Sequence, residues 1–173
     1  MTTLEFPART KGPISETLES IRNEAIGGGY QRALERLDAM LSEKPDELEA
    51  IRLKGNVLEL RAFDGAQYHA KKLLLLPDFV GARKCYERIL ELDPRNTLAL
   101  ADLGDHYKNL GAHKKAVSYL VQAAKLLEAG ESRLGLRAEA EEMIDRVADF
   151  GEQKQTDETS YIERVCREIL SRG

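Results

Sequence analysis

The residues best equipped for chemistry in this chain are few and scattered. Asp102 and His106 stand four positions apart, a spacing that puts a carboxylate and an imidazole on one helix face and could give a metal ion two ligands. No third ligand lies near them in the sequence, so they are expected to form a hydrogen-bonded pair on the surface. Gly27-Gly28-Gly29 has the glycine density of a phosphate loop. It lacks the Lys-Ser/Thr that would touch phosphates, and no strand-like alternation precedes it, so it reads as a turn. Cys85 and Cys166 fall in no metal-ligand spacing, and a catalytic thiol would want His and Asx partners that the sequence does not place. His69 and His113 belong to no dyad, and no Ser-His-Asp order or paired-carboxylate motif stands out. The expectation is no catalytic residue, no metal site, no cofactor and no enzymatic activity.

Composition narrows the partner classes. The 173 residues are 42% hydrophobic, enough for a packed core, and suggest one domain. Charged residues reach 32%, above the roughly 25% of an ordinary soluble domain. They alternate in sign without forming a block, the pattern of solvated helix faces. Twenty-six Lys and Arg against 30 Asp and Glu give a net charge of −4, the wrong sign for a nucleic-acid binder. The longest apolar run, Leu73 to Leu76, is far too short to insert in a membrane. Met1 to Pro7 does not resemble a signal peptide, and two cysteines make no disulfide framework. The expected location is cytoplasmic.

The helices that must position any site show in the periodicity. Tyr30, Phe79 and His113 each stand three positions before an Ala: Ala33, Ala82 and Ala116. Four and seven positions after each Ala come Leu37 and Met40, Tyr86 and Ile89, Leu120 and Ala123, which is one helical stripe. Pro45 and Pro94 follow where a proline would stop the helix. Before Ala116, Leu103-Gly104 and Tyr107 mark another helix, with Gly104 admitting a close helix neighbour and Tyr107 filling the space beside it. Gly111 predicts a turn with positive φ.

Together these positions resemble the 34-residue tetratricopeptide repeat. Residues 97–130 carry the pattern most fully, lacking only the terminal proline, where Glu128 stands. Counting back from Ala33 gives a degenerate repeat at 14–47, with Thr17 and Ile21 where a large and a small residue are usual. Between them, at 48–96, Ile51, Gly55 and Leu58 fit a first helix from Leu48, but the matching Ala is Ala82 rather than position 67, a 15-residue insertion. Either the first helix runs on to Leu76, or Asp64-Gly65 breaks it and Ala66 to Leu76 forms a separate helix. A helix capped by Ser132 is expected to close the stack at 131–150, with Leu134, Met143, Ile144 and Val147 buried. A polar linker then leads to an amphipathic helix at 157–172, with Tyr161, Ile162, Val165, Ile169 and Leu170 on one face. The expected fold is all-α, a tetratricopeptide-like helical-hairpin solenoid over 14–150 with C-terminal capping helices.

The resemblance implies a concave surface, lined by the first helix of each repeat, that binds peptides or helices. Carried over, its positions are Leu18, Arg22 and Ile26, then Arg52, Asn56 and Glu59, then Ala101, Asp105, Lys108 and Asn109. Arg22, Arg52 and Asn56 would make a donor-rich end suited to an acidic peptide, with Asp105 making the other end mixed. Reversing the charge of Arg52 should then weaken binding and spare the fold. One subfamily grips chaperone C-termini with a clamp of Lys and Asn, then Asn, then Lys and Arg. The matching positions here hold Leu18 and Arg22, then Leu53, then Leu98 and Asp102, so that ligand is not carried over. The expected function is a non-enzymatic adaptor or scaffold for a partner protein or peptide. A small chaperone for a secreted protein and a regulatory subunit of an enzyme are the alternatives. Leu73 to Leu76 cannot share one helix stripe, which leaves open a homodimer contact through the insertion or through the last helix around Ile162, Val165 and Ile169.

Overall fold

The structure, a computed structural model, describes residues 13–66, 76–150 and 156–172. Every regular element among them is helical: α1 (Pro13–Ile26), α2 (Tyr30–Glu43), α3 (Leu48–Ala66), α4 (Pro77–Leu92), α5 (Thr97–Asn109), α6 (His113–Glu128), α7 (Leu136–Ala148) and α8 (Asp157–Ser171). The class is all-α, as the periodicity implies. No helix among the described residues is long and apolar enough to cross a membrane.

Local sequence sets most of the helix ends. Pro45 and Pro94 lie just beyond the last residues of α2 and α4, where they cannot continue the backbone ladder. Pro77 opens α4 at a position whose N–H would have had no helical partner. Asn96 caps α5 by accepting the Ala99 N–H at 3.0 Å, and Thr156 and Thr159 form a reciprocal capping box on α8. Gly28 and Gly111 take φ values of 88° and 74° in the tight turns between α1 and α2 and between α5 and α6, a conformation that side-chain-bearing residues rarely adopt.

The apolar stripe becomes the core. Ala33, Ala82 and Ala116 are fully buried, as are Leu37, Tyr86 and Leu120 one turn later. Burying each of the larger side chains is worth about 1.5–3 kcal/mol. The closest packing is within α3–α4, α5–α6 and α7–α8, and α2–α3, α4–α5 and α6–α8 join these pairs. α1 also lies against α3, and α5 against α7. Two glycines permit the closest approaches. A Cβ on Gly55 would stand 2.7 Å from the Tyr86 ring, and one on Gly104 would stand 2.7 Å from Leu120.

Three regions differ from expectation or resolve an open choice. α3 continues through Asp64-Gly65 to Ala66 with no break there, while the rest of the insertion, 67–75, lies outside the described residues, and with it His69, Leu73 to Leu75 and the insertion's homodimer contact. α7 starts at Leu136 rather than near Ser132, because Gly135 takes a φ of 109° that interrupts the helix. Leu134 is consequently exposed, not core. Glu139, buried in the first turn of α7, receives the backbone N–H groups of Arg133 and Leu134, the latter at 2.6 Å. Finally, α8 packs on both α6 and α7, burying Ile162, Val165 and Cys166 within its own chain. The face that would have met a second copy is largely covered.

Candidate partner-binding surface

The carried-over surface residues meet two different fates. On α3, Arg52 is not a free donor. Its Nε and one terminal nitrogen grip Asp102 on α5 at 2.6 and 2.9 Å, a two-point ion pair. Burial opposes the charge of Arg52, but the hydrogen bonds and charge of Asp102 outweigh it and hold the guanidinium above its ordinary value. Asp102 is only 8% exposed at its side chain, and Arg146 on α7 approaches it from the other side at 3.6 Å. Arg146 also bonds Asp105 at 2.9 Å, and Lys108 sits between Asp105 at 3.2 Å and Asp149 at 3.1 Å. Arg52, Asp105 and Lys108 are thus members of one network crossing α3, α5 and α7. A glutamate at position 52 would face the Asp102 carboxylate, so the expectation that reversing Arg52 spares the fold is corrected.

Glu59 and Asn56 belong to a second, deeper group. His106 Nδ1 lies 2.6 Å from Glu59 Oε1, and the His106 ring stacks on Phe79 with centroids 4.0 Å apart. Tyr86 Oη stands 3.1 Å from Glu59 and 2.9 Å from the Asn56 amide. Burial and the nearby charge of Glu59 push the Tyr86 hydroxyl far up, so it keeps its proton and acts as a donor. That single proton lies within reach of two acceptors, the Glu59 carboxylate and the Asn56 amide oxygen. The Asn56 amide oxygen accepts from the Tyr86 hydroxyl at 2.9 Å.

Asp102 and His106, expected to be a surface pair, are both buried and do not bond each other. Each instead reaches α3, Asp102 to Arg52 and His106 to Glu59. The four-residue spacing placed them on one face correctly; it could not show that α3 lies against that face. The cysteines are free, Cys85 half-buried and Cys166 buried. Burial pushes both thiols up, Cys166 to about 11, the opposite of what an activated nucleophile needs. Among the described residues no three His, Cys, Asp or Glu side chains converge on a point that could hold a metal ion.

Of the remaining positions, Leu18 and Ala101 are buried in the core and line no surface, while Arg22 and Ile26 stay open. Arg22 on α1 is exposed and makes no ion pair with any described residue. Ile26, one turn further, is 70% exposed, and Leu60 on α3 is 42% exposed, the two most exposed large apolar side chains among the described residues. Ile26 and Leu60 stand 34 positions apart, at the same place in successive repeats, and Asn109 follows at 49, which is 34 plus the 15 of the insertion. Asn109 is half-buried at the end of α5. Sequence reasoning named Ile26 but missed Leu60, whose repeat position was the available signal. Tyr86, His106 and Arg146 were missed as network members because they come from helices assigned to the core or to a cap.

No protein-family model matches the chain. It is similar to the protein O-mannosyl-transferase TMTC3 of Homo sapiens, with 38% identity over 65 residues. That stretch is 38% of this chain and 6% of the relative, so the chain spans a small fraction of the protein it matches. TMTC3 contains tetratricopeptide repeats, and the similarity together with the all-helical fold is compatible with a fold of that kind.

Proposed function

We propose that this chain is a non-enzymatic adaptor of the cytoplasm, a tetratricopeptide-like stack of helical hairpins whose first helices present a binding face to a partner protein. The observation that carries the reading is the agreement of repeat phase with packing. The helices that the 34-residue spacing pairs into hairpins at 48–96 and 97–130 are among those that pack most closely, α3 with α4 and α5 with α6. Helices repeated in this way contact mainly their neighbours and leave an extended face free, which suits binding of another polypeptide better than enclosure of a small substrate. The similarity to a repeat-containing protein supports a protein-interaction role. The local chemistry supports a non-catalytic one: both thiols are raised by burial, and His106 Nδ1 is committed to Glu59.

A photo-crosslinking amino acid tests the reading. It is placed at Arg22 on the proposed face, or at Ser118 on the exposed side of α6. Irradiation in a lysate of the source organism is expected to join one recurrent protein to position 22 and not to position 118. Recurrent crosslinks from 118 alone would overturn the assignment of the face, and none from either position would count against an adaptor.

A further inference from the structure

We propose that Arg83 on α4, Tyr107 on α5, and Lys115 and Tyr119 on α6 form a site for a phosphoryl group, carried as free phosphate or as a small phosphate ester. The site draws on α4 and α6, the second helices of their hairpins, and does not rest on the adaptor reading.

Two phenol rings set the geometry. Tyr107 and Tyr119 stack with centroids 5.6 Å apart and planes inclined by 2°. The Lys115 ammonium stands over the Tyr107 ring, 4.1 Å from its centroid. Lys115 is exposed and makes no ion pair with any described residue. Neither hydroxyl donates to an acceptor among the described residues. The Tyr107 hydroxyl raises the Lys115 amine, which stays charged, and burial above all pushes the Tyr119 hydroxyl up, so it keeps its proton.

Arg83 supplies a second observation. Its Nε is buried and has no hydrogen-bond partner. Glu87, one turn further along α4, stands 3.6 Å from that nitrogen, beyond hydrogen-bond reach. Partly exposed pairs of this kind hold their partners weakly, so the guanidinium is free to turn towards an arriving anion. The charge of Arg83 already reaches both Lys115 and Tyr119, and Glu87 is the acid that opposes it there. Two cations against one acid leave the site net positive, and a dianion gains more from that than a carboxylate does. A phosphoryl group on an ester carries about −1.5 to −2 charge at neutral pH and three acceptor oxygens. Two hydroxyls, an ammonium and a guanidinium supply donors for all three, whereas a carboxylate offers only two oxygens.

The test is calorimetric titration of the full chain with inorganic phosphate, phenyl phosphate and acetate, at neutral pH and fixed ionic strength. One phosphate should bind per chain, and acetate far more weakly. Lys115→Met and Arg83→Met should each lose at least tenfold in affinity, and Tyr119→Phe severalfold. Lys114→Met, on the exposed neighbour in the sequence, should lose nothing. Circular dichroism checks folding, and if Arg83→Met unfolds, Lys115→Met at its exposed position carries the test. Phenyl phosphate bound at least as tightly as inorganic phosphate assigns the site to an ester, and weaker binding assigns it to the free ion; both sustain the proposal. No saturable phosphate binding, acetate bound equally well, unchanged affinity in Lys115→Met, or an equal loss in Lys114→Met overturns it.

Discussion

Arg52 and Arg22 are both arginines on the face of a first helix, and the repeat assigns both to a binding surface. One is locked into the fold and the other is free. Arg52 lies opposite α5, which offers Asp102 at 2.6 Å. Arg22 lies on the first helix of the stack and makes no ion pair with any described residue. The difference teaches that a repeat position makes a residue a candidate, and the next helix decides whether it is available. Where α3, α5 and α7 carry complementary charges, the face has become a structural network. Where α1 and α3 carry isoleucine, leucine and one unmatched cation, it has remained a surface.

The sharpest way to break this contrast is Asp102→Ala. It strips Arg52 of both its hydrogen bonds and leaves Arg146 without one of its acids. Removing one partner of a buried ion pair costs about 3–5 kcal/mol. Urea unfolding should show a lower midpoint with unchanged slope, and a midpoint within error of wild type would make the network ornamental. A step smaller is Gly55→Ala. Its new Cβ would stand 2.7 Å from the Tyr86 ring, and overpacking of this kind costs about 1–3 kcal/mol. Because the Tyr86 hydroxyl reaches Asn56 and Glu59, the same substitution should also disturb those two side chains.

Much of this was legible in the sequence, and the residues show where legibility stops. The buried stripe through Ala33, Leu37, Ala82, Tyr86, Ala116 and Leu120 follows from spacing within single helices, which periodicity reports directly. The Gly111 turn and the close packing at Gly104 were equally local. The pairing of Arg52 with Asp102 spans 50 residues and depends on how α3 sits against α5, which no local pattern encodes. Ser132 looked like a helix cap because its side chain is suited to one, and the left-handed backbone at Gly135 moved the start past it. The open surface around Arg22 and Ile26 was half visible: both residues were in view, but which of the carried-over charges were already engaged was not.

A smaller effect separates networks that depend on charge from the open surface that does not. The loop after α4 is tied to the loop after α6 by Arg133 on Asp93, at 2.8 to 3.0 Å, and by Arg95 on Glu131. Burial pushes Asp93 up, but the Arg133 and Asn96 hydrogen bonds and the Arg133 charge more than offset it and hold its carboxyl low. Arg95 holds Glu131 low in the same way. Carboxylates with depressed folded values stabilise the fold above the ordinary carboxylate range and lose that contribution as pH falls through the folded value, here below about pH 4. The stability gap between wild type and Arg133→Met should therefore be open at pH 6 and close towards pH 2.5, measured by urea unfolding across that range. A gap that stays constant would show that the arginine acts through packing and not charge.

The smallest effect on stability, and the most direct test of the account, comes from Ile26→Ser/Leu60→Ser. Surface substitutions away from packed features usually change stability by within about 0.5 kcal/mol each, so the unfolding midpoint should scarcely move. The measurement is the affinity of the crosslinked partner for this variant relative to wild type. Covering one such side chain on binding is worth about 1.5–3 kcal/mol, roughly tenfold or more in Kd. The account predicts at least a tenfold loss at an unchanged unfolding midpoint. Equal affinity for the two chains would contradict it.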